Sequence, residues 1–381
     1  MKIQNLIKKE VRRQQKVINL IPSENYVSKQ VLAALGSPLT NKYAEGKSHQ
    51  RYYFGNAVMD EIEDEVKRLA LKAFGISSDD YGINVQPYSG SIANLAAYLG
   101  TLQLGDKILA MSLNHGGHLT HGHHVNFTGK FFKFSHYGVG DDGKINYEEV
   151  AKLAKKIKPK LIVCGATAYS RIIDFKKFRE IADFVDALLL ADISHLAGLI
   201  IGGVHPSPFP HAHIVTTTTH KTLRGPRGAM IMAKKEFMDG INKAIFPGLQ
   251  GGPHLNIIAA IGVALEEALT PSFKRYAKQV IANAKTLARE LTKFGFKIVS
   301  GGTDNHLLLL DVIPLGLTGN EAGKKLEAAG IIVNKNAIPD DPRKPLDPSG
   351  IRLGTPAVTT LGLNQKDMEK IARKIKKILI K

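Results

Sequence analysis

The stretch Ile214-Val-Thr-Thr-Thr-Thr-His-Lys-Thr-Leu-Arg-Gly-Pro-Arg-Gly-Ala229 runs from a β-strand pattern into a turn rich in glycine and proline. Four consecutive threonines favour a strand because β-branched side chains suit the pleated backbone. Lys221 follows the end of this strand, where the turn would shield it from water. Desolvation lowers the pKa of a lysine, and the neutral amine can then attack a carbonyl group. The stretch therefore predicts a Schiff-base lysine, with a phosphate-binding or simply exposed lysine as the alternatives.

A second strand pattern, Ala187-Leu-Leu-Leu-Ala-Asp-Ile-Ser-His-Leu-Ala-Gly198, precedes the first. Its apolar run ends in Asp192, and the carboxyl ends of parallel strands face the ligand crevice of an α/β sheet. A buried carboxylate there needs a cationic partner, and a protonated pyridine nitrogen would serve. The alternative is a helix N-cap, since aspartate caps helices well.

A third feature, Ser89-Gly90-Ser91, opens an apolar helix pattern. The free N–H groups of the first helical turn, the helix dipole and two hydroxyls together favour an anion. Alone, this is also how ordinary helices begin. With the lysine and the strand-end aspartate, it completes a set suited to pyridoxal phosphate: a phosphate cup, a partner for the ring nitrogen and a Schiff-base lysine.

Helical patterns alternate with short apolar runs along most of the chain, which indicates an α/β fold with a mostly parallel sheet. Met59 to Phe74 is an amphipathic helix pattern that Gly75 would end. The predicted strands are Lys107 to Met111, Lys160 to Cys164, Ala187 to Ala191, Ile214 to Thr218 and Ala229 to Ala233.

Thr270 and Pro271 form a candidate domain boundary, because they suit the cap and first position of a long helix. Beyond it, patterns predict strands near 296–300 and 306–312, a helix over 319–329 and a last helix from about Asn364. We therefore divide the chain into an N-terminal helical arm (1–20), a large cofactor-binding domain (21–270) and a smaller C-terminal α+β domain (271–381).

Composition limits the class of protein. The chain has 381 residues, 44% hydrophobic and 23% charged, which excludes a disordered chain. No apolar run reaches the ~18 residues of a membrane helix, and charged residues stand where a signal peptide has its apolar core. Cys164 is the one cysteine, and its apolar surroundings predict a buried thiol. We expect a cytoplasmic protein with no membrane partner.

The net charge of +18 is concentrated in helix-like segments, namely Met1 to Lys16, Lys152 to Lys160 and Gln365 to Lys381. We interpret them as solvated helix faces; RNA or anionic-surface contact is the alternative, although no nucleic-acid motif accompanies the charge. Five histidines lie between Asn114 and His124. A zinc site is the alternative there, but no carboxylate or thiol lies nearby in sequence, so we expect no metal.

Taken together, these stretches resemble the serine hydroxymethyltransferases, pyridoxal-phosphate enzymes of the aspartate-aminotransferase fold type. The matching motifs, in order from Leu20 to Ala357, are LIPSENYVS, NKYAEG, RYYFGN, QPYSGSIAN, GGHLTHGH, ADISHLAGL, TTTTHKTLRGPRG, FPGLQGGP, VNKNAIPDDP and SGIRLGTPA. The resemblance implies a large domain with a seven-stranded, mostly parallel sheet between helices and a smaller α+β domain. It also implies reversible transfer of the hydroxymethyl group of L-serine to a tetrahydropterin, giving glycine.

The resemblance assigns a role to each matching residue. Lys221 would be the Schiff-base lysine, Asp192 the partner of the ring nitrogen and His118 the residue stacked on the ring. Other cofactor contacts would come from Ser89, Gly90, Ser91, Thr167, His195 near the phenolic oxygen, and His220, with Thr218 beside the lysine. Arg352 would bind the substrate carboxylate, assisted by Ser23.

The resemblance also implies a homodimer with shared active sites. Tyr43, Glu45, Tyr53 and Gly252 would reach the neighbouring subunit's cofactor, and Glu45 would move a proton near the serine hydroxyl and the pterin. Leu113, Leu119 and Asn336 match positions of the pterin site.

The chain departs from the family pattern at several places. Thr167 stands for a common serine, Tyr88 for a frequent histidine, and His123-His124 for a pair with shorter side chains. The chain also starts late, and we expect the last helix or two of the family to be missing. These departures leave open whether the carrier is tetrahydrofolate or tetrahydromethanopterin, and whether assembly goes beyond a dimer. The alternative functions are a pterin-independent threonine aldolase and, in another class, an RNA-binding protein.

Overall fold

The computed structural model describes residues 1–380, in which helices and strands alternate along most of the chain. The helices are α1 (Lys2–Gln14), α2 (Lys29–Leu35), α3 (Ala57–Phe74), α4 (Gly90–Thr101), α5 (Phe127–Phe131), α6 (Tyr147–Ile157), α7 (Phe175–Phe184), α8 (Ala197–Ile201), α9 (Lys235–Lys243), α10 (Leu255–Ala268), α11 (Pro271–Lys293), α12 (Gly319–Ala328), α13 (Pro356–Thr360) and α14 (Gln365–Leu379). Shorter helical turns are Pro38–Asn41, Leu113–His115, Ala244–Leu249, Val299–Gly301 and Ile313–Leu315.

The strands belong to a large sheet, a smaller sheet and two short pairs. They are β1 (Ile18–Asn19), β2 (Gly46–Lys47), β3 (Gln50–Arg51), β4 (Tyr81–Asn84), β5 (Lys107–Met111), β6 (Lys133–Tyr137), β7 (Leu161–Cys164), β8 (Leu188–Asp192), β9 (Ile214–Thr218), β10 (Ala229–Lys234), β11 (Lys297–Ile298), β12 (Leu307–Asp311), β13 (Ile331–Ile332), β14 (Asn334–Asn336) and β15 (Gly350–Gly354).

The large sheet has seven strands in the order β4-β10-β9-β8-β7-β5-β6. Strands β9, β8, β7, β5 and β6 run parallel, and β10 is antiparallel to both of its neighbours. Asp192 pairs with Thr216, so β8 and β9 end side by side. The predicted fold class, an α/β fold with a mostly parallel seven-stranded sheet, is confirmed.

Helices cover both faces of this sheet. In β7, Ile162 packs in the core formed with α3, α7 and α10, whereas Leu161 faces the opposite core formed with α4 and α9. Because successive strand residues point to opposite faces, a strand buried on both faces reads as a continuous apolar run. All five predicted strands occur for this reason. The edge strands β4 and β6 were missed, since each includes polar residues or glycine.

The smaller sheet has the order β11-β12-β15-β14 and is antiparallel throughout. Its core includes Leu310, Ile351 and Met368. Helix α11 begins at the predicted cap, Thr270, and its successive turns pack first in the large core and then in the small one. Strand β1 pairs with β13 of the C-terminal part, whereas α1 has no buried residue. The division at residues 20 and 270 remains a prediction.

Within residues 1–380, no single helix is both long and apolar enough to cross a membrane. Helices α10 and α11 reach that length and composition only as a pair, bent by 83°. Both bury many residues in the cores described above. Cys164 is also buried, and burial raises the pKa of its thiol.

Candidate active site

A cavity of about 330 Å³ opens where β8 and β9 end. The first turn of α4, the turn after β9 and strand β15 of the smaller sheet complete its wall. It is lined by Ser23, Glu24, Ser89, Gly90, Ser91, Asn94, His118, His121, Ala166, Thr167, Asp192, Ser194, His195, Thr218, His220, Lys221, Arg227 and Arg352. Three segments that were singled out separately in the sequence therefore meet at one site, as expected of the carboxyl ends of parallel strands.

Lys221 lies in this cavity with its amine on a hydroxyl group. Its Nζ donates to Thr218 Oγ1 at 2.9 Å, and Asn25 donates to its backbone carbonyl at 2.9 Å. Burial lowers the pKa of Lys221 to about 8; the charges of Arg352 and Arg227 act in the same direction, and Asp192 opposes them. The amine is thus far easier to deprotonate than an exposed lysine, as a nucleophile requires.

Asp192 is the last residue of β8 and is buried. Its Oδ2 accepts from Asn94 Nδ2 at 2.8 Å and from His121 Nε2 at 3.2 Å, and its Oδ1 accepts from the Ser194 N–H at 3.0 Å. Burial alone would raise the pKa of this carboxyl group, but His121, His118 and Ser194 hold it well below its usual value. Asp192 is therefore an anion, and it does not cap a helix, because α8 begins only at Ala197.

The first turn of α4, where the phosphate cup was predicted, lies at the cavity. Ser89 is its N-cap, with Oγ accepting from the Ile92 N–H. A β-carbon added to Gly90 would lie 2.6 Å from Thr218 Cγ2, so only glycine lets the helix start this close to β9. His220 and Arg227 line the same cavity, and the buried Nδ1 of His220 has no hydrogen-bond partner within residues 1–380. Helix N–H groups beside an arginine suit a phosphate group.

Arg352 projects from β15 into the cavity and is 5% exposed. Its Nε donates to Asn334 Oδ1 at 3.0 Å, and another guanidinium nitrogen donates to the Thr167 carbonyl. No carboxylate within residues 1–380 forms an ion pair with it. Burial lowers the pKa of Arg352 to about 10, which still leaves a cation at neutral pH. A buried, unpaired guanidinium favours an incoming carboxylate.

The remaining predicted cofactor residues also line the cavity. His118 Nδ1 lies 2.7 Å from Thr120 Oγ1, and burial lowers the pKa of His118 to about 4, so the ring is neutral. His195 is buried, with its ring against a second histidine. The donor set fits pyridoxal phosphate: a cup for the phosphate, a buried anion for a protonated ring nitrogen and a deprotonable amine for the aldehyde.

The residues expected to serve a neighbouring subunit do not line this chain's cavity. Instead, Tyr43, Glu45, Tyr53 and Gly252 form a separate group, the tyrosine cluster. Tyr43 donates to Glu45 Oε1 at 3.2 Å, and the rings of Tyr43 and Tyr53 meet edge to face at 4.8 Å. The ring of Tyr43 also lies against Gly252. Tyr43 and Tyr53 are about half exposed.

The three predicted pterin-site residues also lie outside the cavity lining. Leu113 belongs to a short helical turn, Leu119 is exposed, and Asn336 ends β14. The structure also adds two residues to the site that the sequence analysis did not single out. Asn94 and His121 hold Asp192, and Asn94 follows Gly90 by one helical turn, which was the available signal.

Comparison with known proteins agrees with this geometry. The family model described as serine hydroxymethyltransferase matches residues 1–375. A curated serine hydroxymethyltransferase of Desulfotalea psychrophila is 55% identical over 364 residues, which cover 96% of this chain and 85% of the relative. A match of this length and identity includes both sheets and every segment of the cavity. The chain belongs to the serine hydroxymethyltransferase family.

Proposed function

We propose that this chain transfers the hydroxymethyl group of L-serine to a folate-type tetrahydropterin and releases glycine, reversibly, using the residues assigned below. Serine–glycine interconversion, pyridoxal-phosphate dependence and a folate-type carrier belong to the family as a whole. The residue roles, the shared dimer, the identity of the pterin and a cytoplasmic location are our proposals. The single observation that carries the residue roles is a cavity holding both a low-pKa lysine and a buried, unpaired arginine.

The cofactor would be held by three groups at the cavity floor. Lys221 would hold the aldehyde end, Asp192 would keep the ring nitrogen protonated, and the first turn of α4 with His220 would hold the phosphate. His118 would lie against the ring face. Bound in this way, pyridoxal phosphate withdraws electrons from the bond broken at the substrate α-carbon.

Arg352 would bind the carboxylate of serine with its guanidinium fork, and Ser23 would assist. Two anchoring points, the carboxylate here and the amino group near Lys221, would restrict rotation of the substrate. The bond to be broken could then stand perpendicular to the cofactor ring, which is the orientation that the electron withdrawal requires. Asn334 and the Thr167 carbonyl would keep the guanidinium aimed at the substrate.

Glu45 would move a proton near the serine hydroxyl group, in the active site of the partner subunit. The tyrosine cluster supports this proposal, because its two tyrosines are half exposed and do not line the cavity of the same chain. In a two-fold dimer, each cluster would complete the other chain's cavity. Leu113, Leu119 and Asn336 would contact the pterin near that junction.

The first test maps the lysine. Borohydride reduction of the yellow holoenzyme should attach the cofactor irreversibly to the peptide that contains Lys221, as read by mass spectrometry. Lys221→Ala should abolish the attachment, whereas Lys235→Ala, at an exposed lysine, should not. Attachment at another lysine would overturn the assignment.

The second test separates the transferase from a pterin-independent aldolase. Glu45→Gln should remove most pterin-dependent serine cleavage and keep some cleavage of 3-hydroxy amino acids without pterin. Glu61→Gln, at an exposed carboxylate of α3, is the control. If both activities of Glu45→Gln are undiminished, Glu45 has no catalytic role. The same assay, run with tetrahydrofolate and with tetrahydromethanopterin, identifies the carrier.

The third test addresses the shared site. Lys221→Ala and Glu45→Gln are each unfolded, mixed and refolded together. Random pairing makes about half of the dimers mixed, and each mixed dimer has one intact site if the sites are shared, so about a quarter of wild-type activity should return. If both residues act within one chain, a mixture shown to contain heterodimers stays inactive.

A further inference from the structure

Two buried histidines meet edge to edge beside the cavity. His195 Nδ1 and His306 Nε2 lie 3.0 Å apart, the ring centres are 5.2 Å apart, and the planes differ by 27°. Because the two nitrogens are much closer than the ring centres, this contact is an in-plane hydrogen bond and not a stack of faces. One of the two rings must supply its proton.

The proton positions are limited because both rings are neutral. Burial is the first cause that lowers the pKa of each histidine, to about 3 for His306, and the charges of Lys221 and Arg352 act in the same direction. The acidic group of the cavity, Asp192, is not among the main influences on either ring. A neutral imidazole carries one N–H and one bare nitrogen, so only two arrangements are possible.

The second nitrogen of His306 distinguishes these arrangements. His306 is fully buried, and its Nδ1 has no hydrogen-bond partner within residues 1–380. If His195 donated, the proton of His306 would sit on Nδ1 as a buried N–H without an acceptor. If His306 donates from Nε2, Nδ1 is a bare nitrogen. Buried N–H groups without an acceptor are rarer than acceptors left without a donor.

A third histidine supports the second arrangement. His205 Nδ1 lies 2.9 Å from the Pro206 carbonyl, which can only accept, so the proton of His205 is on Nδ1. Its buried Nε2 is then a bare nitrogen, and it has no partner within the described part of the chain. The same fold thus accommodates a bare, buried ring nitrogen at a second histidine, His205, whose charge is among the influences on the pKa of His306.

We propose that His306 is a positioning residue, which donates to His195 Nδ1 and thereby keeps the proton of His195 on Nε2. Because Nδ1 is occupied, Nε2 is the nitrogen that His195 offers to the cavity it lines. His195 is then a hydrogen-bond donor toward the bound cofactor and cannot act as an acceptor. This use of His195 rests on the proposed function, whereas its tautomer follows from the contact with His306 alone.

The position of His306 gives the contact a structural consequence. His306 directly precedes β12, and Leu307 of β12 pairs with Gly354 of β15, the strand that carries Arg352. The hydrogen bond to His195 therefore joins the smaller sheet to the segment after β8. The chain separates the two histidines by 111 residues, so no sequence spacing indicated the pair.

The experiment is nitrogen NMR on holoenzyme labelled with ring-¹⁵N histidine, in wild type and in His195→Gln and His306→Gln for assignment. A proton bonded to nitrogen is recognised by its one-bond coupling. We expect His195 to carry its proton on Nε2 and His306 on Nε2, with His205 as a reference that carries it on Nδ1. A proton on Nδ1 of His195 in wild type would overturn the proposal, and this readout needs no activity.

Two variants test the consequence for the cofactor. Glutamine at position 306 can place an amide N–H near the position of the imidazole Nε2, whereas leucine cannot. We expect His306→Leu to weaken pyridoxal-phosphate binding about tenfold, the effect of losing one well-placed hydrogen bond, and His306→Gln to recover most of it. Equal losses in both variants would overturn the positioning role. Failure of the proposed function would appear separately, because borohydride would then not attach the cofactor to Lys221 in the wild-type protein.

Discussion

Two clusters of charged side chains differ in how completely their charges are paired. In the first, the hairpin cluster, Arg51 of β3 donates to Asp60 at 2.8 Å and to Glu63 at 2.6 Å, and Lys67 lies 2.9 Å from Glu63. The side chains of Arg51, Asp60 and Glu63 are all at least 91% buried. Two cations thus meet two anions.

The second is the cavity cluster of Lys221, Arg227, Arg352 and Asp192. Here Arg352 is buried, Lys221 is part-buried and Arg227 is exposed, and Asp192 is the one buried anion of the lining, since the other lining carboxylate, Glu24, is exposed. Asp192 is held by Asn94 and His121 and not by an arginine. The difference indicates what each cluster is for. A completely paired buried cluster contributes little net stability, but removing one of its partners is strongly destabilising because the other charge is left buried and unpaired. An excess of positive charge over carboxylates suits a site for anions, and the proposed function would place a phosphate and a carboxylate there.

The hairpin cluster also holds the backbone beside Glu45 of the tyrosine cluster. Arg51 donates to the backbone carbonyls of Ala44 and Gly46, which flank Glu45, and the Tyr52 N–H donates to the carbonyl of Glu45 itself. The backbone on both sides of Glu45 is therefore fixed by a buried guanidinium. We infer that the paired cluster is a scaffold and propose that the unpaired one is a receptor for anions.

The largest effect is expected from breaking the paired cluster. Arg51→Met leaves Asp60 buried without its arginine and leaves Glu63 with Lys67 alone, and we expect a loss of about 3–5 kcal/mol in the free energy of unfolding. The measurement is urea unfolding at fixed protein and cofactor concentrations. Adding Asp60→Asn and Glu63→Gln to Arg51→Met should restore most of the loss. If the triple variant is as unstable as Arg51→Met, the loss of stability in Arg51→Met comes from lost packing and not from unpaired charge.

A smaller effect, confined to function, is expected in the unpaired cluster. Arg352→Lys should weaken serine binding about 10- to 100-fold, because an ammonium group cannot reproduce the two parallel hydrogen bonds of the guanidinium fork. Cofactor binding and the urea midpoint should change little, since no buried carboxylate is left behind. Serine titration followed by the cofactor absorbance measures this, and unchanged serine affinity would contradict the receptor role.

The pH dependence of the rate at which the apo protein binds the cofactor, here called cofactor capture, should respond to changes in the cavity cluster but not in the hairpin cluster. Capture by the apo protein requires the neutral amine of Lys221, so its rate should rise with pH around a midpoint of about 8. Arg352→Leu should move this midpoint upward, since the guanidinium charge helps to lower the pKa of Lys221. Arg51→Met should leave it unchanged. Stopped-flow absorbance measures the rate.

The same shift affects stability. The unfolded chain retains the lysine proton up to the ordinary lysine pKa, whereas folded apo protein releases it at about 8. Lys221 therefore makes the apo protein more stable as the pH rises between these two values. Apo Lys221→Met should lack this part of the pH dependence in urea unfolding.

The smallest effect is expected at an exposed pair. Arg68 donates to both oxygens of Glu65 on the surface of α3, and both side chains are about half exposed. Because water screens such pairs, Arg68→Ala should leave the urea midpoint of unfolding unchanged. A loss comparable with that of Arg51→Met would show that burial is not what separates the two arginines.

Much of the site could be predicted because its residues lie at the ends of strand patterns or at the start of a helix pattern in the sequence. Lys221 and Asp192 each follow an apolar or β-branched run, and Ser89-Gly90 opens a helix pattern. Asn94, His121, His306 and Arg51 were not singled out, since their partners lie 98, 71, 111 and up to 12 residues away and depend on how elements pack; Asn94 alone had a local signal, its place one helical turn after Gly90. Edge strands β4 and β6 were missed because they lack a continuous apolar run.

By itself, the sequence determined the alternation of helices and strands, the strand-end positions of Asp192 and Lys221 and, through ten ordered motifs, the family. These are local properties: period, capping and residue order survive without three-dimensional contacts. Only the tertiary structure decided which charges are paired. Whether Arg51 meets two carboxylates and Arg352 meets none depends on side chains brought together across the chain, and burial then turns each pairing into a large energy.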